Sequence, residues 1–186
     1  MKTIDAAFSE MDRINFVHET LKSEAYIDAP LPIGYGQTIS QPSTVKRILE
    51  WLEVRPGDNV LDIGSGSGWT TALLSSLVGP LGKVSAVEII PELLKFGKAN
   101  CERLNIRNTE FFLGERGAYG LPNSGQFKRI LVSAAAKKLP TKLLDQLAIG
   151  GKMIIPVNND ILEIFKVSSD KIKTTVHSGF VFVSLI

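Results

Sequence analysis

The run Val60-Leu61-Asp62-Ile63-Gly64-Ser65-Gly66-Ser67-Gly68-Trp69 constrains this chain more than any other stretch. Val60 to Ile63 reads as a strand, the alternate glycines as a loop, and Trp69 to about Leu77 as the helix that leaves it. Glycine allows a tight turn and lets a ligand approach the backbone closely. A loop in this position sits at the carboxyl edge of an open α/β sheet, where such sheets bind ligands.

The rest of the chain extends that unit. Val84 to Val87 reads as a strand, Pro91 to Leu104 as a helix, Glu110 to Leu113 and Arg129 to Val132 as strands, and Thr141 to Leu147 as a helix. Continuous apolar strands separated by helices imply a parallel sheet covered on both faces. Beyond Gly150-Gly151, strands are expected at Lys152 to Val157, Ile161 to Val167, Lys171 to Val176 and Phe180 to Leu185. The sheet should therefore be mostly parallel, with antiparallel strands at its C-terminal side: a doubly wound, Rossmann-like α/β fold. Upstream, Phe8, Met11, Ile14, Phe16, Val17 and Leu21 fall at roughly helical spacing and predict a helix. Residues 25 to 42, rich in Pro, Gly and Tyr, read as an ordered loop. A helix from about Ser43 to Leu52 follows, with Ser40 placed as its cap and Pro42 in its first turn. Gly79-Pro80 and Gly150-Gly151 read as turns before strands. No linker divides the chain, so 1–186 is expected to be one domain, with helices and a substrate and cofactor loop in 1–58 and the Rossmann-like core in 59–186.

Glycine spacing discriminates between cofactors. A dinucleotide loop needs G-x-G-x-x-G, but position 69 is Trp and the glycines fall at 64, 66 and 68. G-x-G-x-G with Asp62 two residues ahead is the pattern of a class I S-adenosylmethionine-dependent methyltransferase. Such a loop alone can be a plain strand-to-helix turn. Glu88, ending the next strand about 20 residues on, argues for a ligand, since a carboxylate there accepts from both ribose hydroxyls.

Charge and cysteine usage exclude several classes. A formal net charge of +2, with basic residues scattered, gives no field that draws nucleic acid or an anionic membrane. Cys101 is the only cysteine, so neither an intrachain disulfide nor a cysteine metal cluster is possible, and nothing else speaks for metal. The N-terminus lacks the apolar core of a signal peptide, and no stretch approaches the roughly 18 apolar residues of a membrane helix. A monomeric cytoplasmic enzyme is expected.

Two further segments carry a family resemblance. Ala25-Tyr26-Ile27-Asp28-Ala29-Pro30-Leu31-Pro32-Ile33-Gly34 and Gly36-Gln37-Thr38-Ile39-Ser40-Gln41-Pro42 resemble the N-terminal motif of the protein-L-isoaspartate (D-aspartate) O-methyltransferases. Ile130 to Ala136, Leu143 to Leu147 and Gly150 to Val157 resemble that family's later strand, helix and strand. The resemblance implies that Gln37, Thr38, Ile39 and Ser40 close over S-adenosylmethionine, with Ser40 touching cofactor and acceptor as the catalytic residue. It implies cofactor contacts from Asp62, Gly64, Ser65, Gly66 and Gly68, from Glu88 and Ile89 at the ribose, and from Glu115 and Arg116 near the adenine. The family's Gly-Asp-Gly stands here as Gly114-Glu115-Arg116-Gly117, where Arg116 replaces a glycine and is expected to crowd the adenine. Phe182-Val183-Ser184-Leu185 keeps the family's ending but lacks its proline.

The implied chemistry suits the residues present. A carboxylate with pKa near 4 is already anionic at neutral pH, so its methylation needs no base. His18 and His177 read as surface or structural residues, and Ser133-Ala134-Ala135-Ala136 is small enough to admit a peptide backbone. The expected activity is methyl transfer to the carboxylate of L-isoaspartyl residues in damaged proteins or peptides, with S-adenosylhomocysteine as product. Two alternatives stand beside it: an aspartate in a dedicated peptide or a small carboxylic acid as acceptor, and a cofactor-binding module without turnover.

Overall fold

The structure, a computed structural model, describes residues 2–185. Its centre is a seven-stranded sheet built from β3 (Asn59–Ile63), β4 (Lys83–Glu88), β5 (Thr109–Leu113), β6 (Phe127–Val132), β7 (Leu147–Val157), β8 (Asp160–Lys166) and β9 (Ile172–Ser178). The order is β5-β4-β3-β6-β7-β8-β9, parallel from β5 to β7 and antiparallel from β7 to β9. The chain runs outward from β3 to β5 and then returns to pair β6 on the other side of β3. That reversal makes the carboxyl ends of β3 and β6 the switch point at which open sheets bind ligands.

Alternation along the strands divides the core. Val60, Leu131 and Ile154 face the layer formed by α1 (Ile4–Glu10), α2 (Pro42–Leu52), α3 (Trp69–Val78) and α4 (Pro91–Arg103). Leu61, Ile130 and Met153 face α5 (Thr141–Gln146) and the loops beside it. The doubly wound, mostly parallel α/β fold expected from the sequence is the one observed.

Several local expectations are corrected. The N-terminal helix stops at Glu10, and 3₁₀ turns at Arg13–Phe16 and Glu19–Glu24 follow it. Apolar side chains at helical spacing are buried by that irregular path as well. Residues 25–42 contain a small hairpin of β1 (Leu31–Gly34) and β2 (Gln37–Ile39), antiparallel and turned through Tyr35 and Gly36 at positive φ. Ser40 does not cap α2; Gln41 holds that position, and Asp28 Oδ1 accepts from the backbone N–H of Ser43 at 2.9 Å. Gly150-Gly151 lies within β7, at a break in its register with β6, rather than before a strand. Residues 180–185 form no sheet strand: Gly179 sits at φ +91°, Phe180 N–H donates to Asn159 O at 3.0 Å, and the segment's β-bridge among the described residues joins Ser184 to Ala135.

Candidate active site

The loop after β3 is folded as its glycines demand. Gly64, Gly66 and Gly68 all have positive φ, at 77°, 50° and 83°. Their backbone is fastened to β4: Gly64 and Ser65 N–H donate to Val87 O at 2.8 and 3.2 Å. Gly66 N–H donates to Glu88 Oε2 at 2.9 Å, while Glu88 Oε1 accepts from Ile89 and Ile90 N–H at 2.9 and 3.0 Å. Glu88 is therefore a clasp as well as a binding group. Three backbone donors fix its carboxylate on the wall of the cleft, two on Oε1 and one on Oε2, leaving about one acceptor site on Oε2.

That cleft lies at the switch point and opens to solvent. Its floor is Gly64 to Ser67 with Glu88, Ile89 and Ile90; its roof is Gln37 to Ser40 with Ile33; its far wall is Ser133 and Ala134 with Val183 to Leu185. The last of these reach the cleft because Ala135 N–H donates to Val183 O at 2.7 Å and Leu185 N–H to Ala135 O at 2.8 Å. The pairing that keeps 180–185 out of the sheet thus brings it to the site.

Most of the residues expected at the site line one cavity: Gln37, Thr38, Ile39, Ser40, Gly64, Ser65, Gly66, Glu88, Ile89 and Glu115. Three do not. Asp62 is fully buried beneath the loop, its Oδ2 accepting from the Thr70 and Thr71 hydroxyls at 3.0 and 2.7 Å. Burial pushes its carboxyl up to about 6, with the Glu88 charge adding to the rise and the threonine hydrogen bonds opposing it. Asp62 ties the strand to the start of α3 and meets no wall of the cleft. Gly68 packs instead against α4, where a Cβ would stand 2.7 Å from Gly97 O. Arg116 is exposed and off the wall: a turn closed by Ala118 N–H to Glu115 O, with Gly117 at φ +76°, carries its side chain outward. The expected crowding is absent from the cleft, which Arg116 does not line.

Other lining residues carried little sequence signal. Tyr119 lines the cleft at φ +49°, held there by Gln146, whose amide donates to Tyr119 O at 2.8 Å and accepts from Leu121 N–H at 2.7 Å. Ile33 of β1 overhangs Gly66 so closely that a Cβ there would stand 3.0 Å from its Cδ1. Trp69 donates through Nε1 to Met11 O at 2.8 Å, joining the glycine loop to the N-terminal segment. Among the described residues, Glu88, Glu115 and Tyr119 are the only titratable side chains on the wall. His18 lies against Phe96 with Nε2 3.1 Å from Ile33 O, and His177 stacks on Trp51 at 3.7 Å; neither lines the cleft.

These features fit a nucleoside-bearing ligand. The glycine loop admits close approach, Glu88 keeps an acceptor site on Oε2, and Ser65 Oγ is buried on the wall with no partner among the described residues. An orphaned hydroxyl in a concave site is a group waiting for a ligand.

Comparison with known proteins agrees along the whole length. The family model for protein-L-isoaspartate (D-aspartate) O-methyltransferase matches residues 1–186. A protein-L-isoaspartate O-methyltransferase of Pyrococcus horikoshii is 42% identical over 98% of this chain and 84% of its own length. One from Fervidobacterium nodosum is 43% identical over 89% of this chain and 82% of its own. Among solved structures, a Plasmodium falciparum protein described as a protein-L-isoaspartate O-methyltransferase in complex with S-adenosyl-L-homocysteine superposes with a TM-score of 0.86. It is 29% identical and covers 98% of this chain and 89% of its own. Methyltransferases at 20% identity, such as one from Thermotoga maritima with a TM-score of 0.54, share the fold. Sequence, fold and cleft converge: the chain belongs to the protein-L-isoaspartate (D-aspartate) O-methyltransferase family.

Proposed function

We propose that this protein transfers a methyl group from S-adenosylmethionine to the free carboxylate of L-isoaspartyl residues in proteins or peptides, the α-carboxylate left outside the chain when the backbone runs through the β-carbonyl. The observation that carries the reading is the composition of the cleft: a ribose-type carboxylate clasp at Glu88 and a hydroxyl at Ser40 share one cavity that holds no histidine, lysine, arginine or cysteine among the described residues. When bound, the cofactor supplies a sulfonium-activated methyl group for in-line displacement. Glu88 and Ser65 would hold its sugar, Glu115 would lie toward its base, and Gln37 to Ile39 would close over it, all of them lining the cleft. Ser40 donates a hydrogen bond to the incoming carboxylate and orients it; with no proton to remove, alignment supplies much of the rate. Ser133 and Ala134 are small enough to leave room for the acceptor's backbone.

A methyl ester carries a leaving group, methanol, that a carboxylate lacks. The neighbouring amide nitrogen can therefore attack the ester carbonyl, expelling methanol and closing a succinimide, which water reopens partly to normal aspartate in a repair reaction. We read residues 1–58 as the roof of the same domain as 59–186, since Trp69 and Met11 are hydrogen-bonded across that boundary. We place the enzyme in the cytoplasm, where the single buried thiol of Cys101 needs no oxidised partner. The test is methyl incorporation into an isoaspartyl peptide and its aspartyl twin. Strong preference for the first is expected; equal rates would overturn the acceptor assignment.

A further inference from the structure

We propose that Arg13 is a positioning residue for methyl transfer, fastening the Ser40 segment over the cleft by collecting carbonyl oxygens from both ends of residues 25–40. The inference rests on the methyltransferase reading above. Arg13 lies in neither the glycine loop nor the hairpin, and it is 3% exposed. Its Nη1 donates to Ala25 O at 2.9 Å and Ile27 O at 3.1 Å. Its Nη2 donates to Ala29 O at 2.8 Å, Ser40 O at 3.0 Å and, more weakly, Ile39 O at 3.4 Å.

This arrangement is costly unless the charge does something there. Carbonyl dipoles aimed at one point repel one another, and only a cation with donors spread in a plane can hold five of them. Arg13 makes no ion pair within 4.0 Å among the described residues: its Nη1 and Nη2 donors go to backbone oxygens alone, and its Nε is buried without a partner there. Asp28, inside the segment being held, adds a favourable charge, and the same Asp28 accepts from the Ser43 N–H in the first turn of α2, which starts two residues after Ser40. Fixing Ser40 O fixes the peptide plane from which the Ser40 side chain projects. The guanidinium also lies 5.5 Å from the centroid of the Trp69 ring, and Trp69 lines the cofactor side of the cleft. One side chain therefore touches both the roof over the acceptor and the residue that opens α3. An ammonium has its donors at a single point and cannot span oxygens contributed by residues 25 to 40.

The test is steady-state methylation of an isoaspartyl peptide by Arg13→Lys and Arg13→Ala, with calorimetric titration of S-adenosylhomocysteine on each protein. The proposal expects Arg13→Lys to bind S-adenosylhomocysteine at one site per chain while its kcat falls between about tenfold and a hundredfold, the scale of a misplaced reacting group. It expects ethylguanidinium to restore part of the lost kcat in Arg13→Ala and none in wild type. The inference is overturned by an Arg13→Lys kcat within twofold of wild type. It is equally overturned by a loss that matches a fall in binding stoichiometry, which would mark a merely structural role, or by the absence of guanidinium rescue. Wild type without preference for the isoaspartyl peptide would sink the acceptor assignment; wild type with that preference, matched by Arg13→Lys, would sink the inference alone.

Discussion

Gly68 and Gly97 meet backbone to backbone: a Cβ on Gly68 would stand 2.7 Å from Gly97 O, and one on Gly97 would stand 2.7 Å from Gly66 O. The last glycine of the loop thus serves helix packing, while Gly64 and Gly66 serve the cleft. Asn100, one turn further along α4, donates to Ser67 O at 3.0 Å and locks the same contact.

Gly97→Ala separates two opposed effects. Helix propensity alone favours alanine by about 1 kcal/mol in the interior of α4. The clash with a backbone oxygen that cannot rotate away should cost about 1–3 kcal/mol and win. Urea unfolding should show net destabilisation, and S-adenosylhomocysteine titration should show weakened binding, because the loop must shift. A more stable variant with unchanged affinity would refute the close approach.

Ser40 and Asp28 should part function from stability. The Ser40 hydroxyl is not the cap of α2, so Ser40→Ala should leave the melting temperature almost unchanged. It should lower kcat by about 10- to 100-fold, the value of a hydrogen bond to a charged group. Asp28→Ala should do the reverse in emphasis: the melting temperature drops because the N–H of Ser43 loses its acceptor. If Ser40→Ala lowered the melting temperature and spared kcat, the assignment would be wrong on both counts.

At the other end of the cleft, Arg116→Ala should leave S-adenosylhomocysteine affinity within about twofold, since an exposed charge off the wall contributes little. Glu88→Gln should weaken it by about 30- to 100-fold, because an amide NH₂ cannot accept from the N–H groups that now converge on the carboxylate. Calorimetry on the two variants checks both. A large effect of Arg116→Ala would restore the crowding that the sequence suggests.

How much of this could be read from residues alone follows from the range of the interactions. The strand, glycine loop and Glu88 were legible because period and spacing are local properties, and so were the parallel core and its antiparallel finish. Asp62 was recognised but misplaced: a residue two positions before the loop can face the cleft or the helix beneath, and strand alternation points it at Thr70 and Thr71. Gly97 offered a faint signal, being a glycine inside an amphipathic helix, which often marks close packing. Arg13 and Gln146 offered none. Each acts through backbone groups of residues 12 to 27 positions away, and no side-chain pattern at those partners records the pairing. The tail at 180–185 has a strand's composition, and only the turn at Gly179 decides that it serves the cleft instead.

Asp62 supplies a pH dependence whose sign is opposite to the common carboxylate case. Its carboxyl titrates at about 6 when folded, against an ordinary 3.8, because burial disfavours the anion. Between those values the folded chain holds a proton that the unfolded chain has released, so the stability tied to Asp62 falls as pH rises through that window. A shift of that size corresponds to roughly 3 kcal/mol, fully lost above about pH 6. Asp62→Asn does not titrate. Unfolding free energies of wild type and variant, measured in urea at pH 4.5, 5.5 and 7.5, should therefore diverge, with wild type losing ground to the variant as pH rises. A difference constant across pH would show that Asp62 is not desolvated as its contacts require. The ionised form nevertheless suits the site, since two threonine hydroxyls at the start of α3 donate to it and hold the loop's exit. A neutral amide oxygen accepts from those hydroxyls more weakly than a carboxylate, so Asp62→Asn should also show weaker S-adenosylhomocysteine binding.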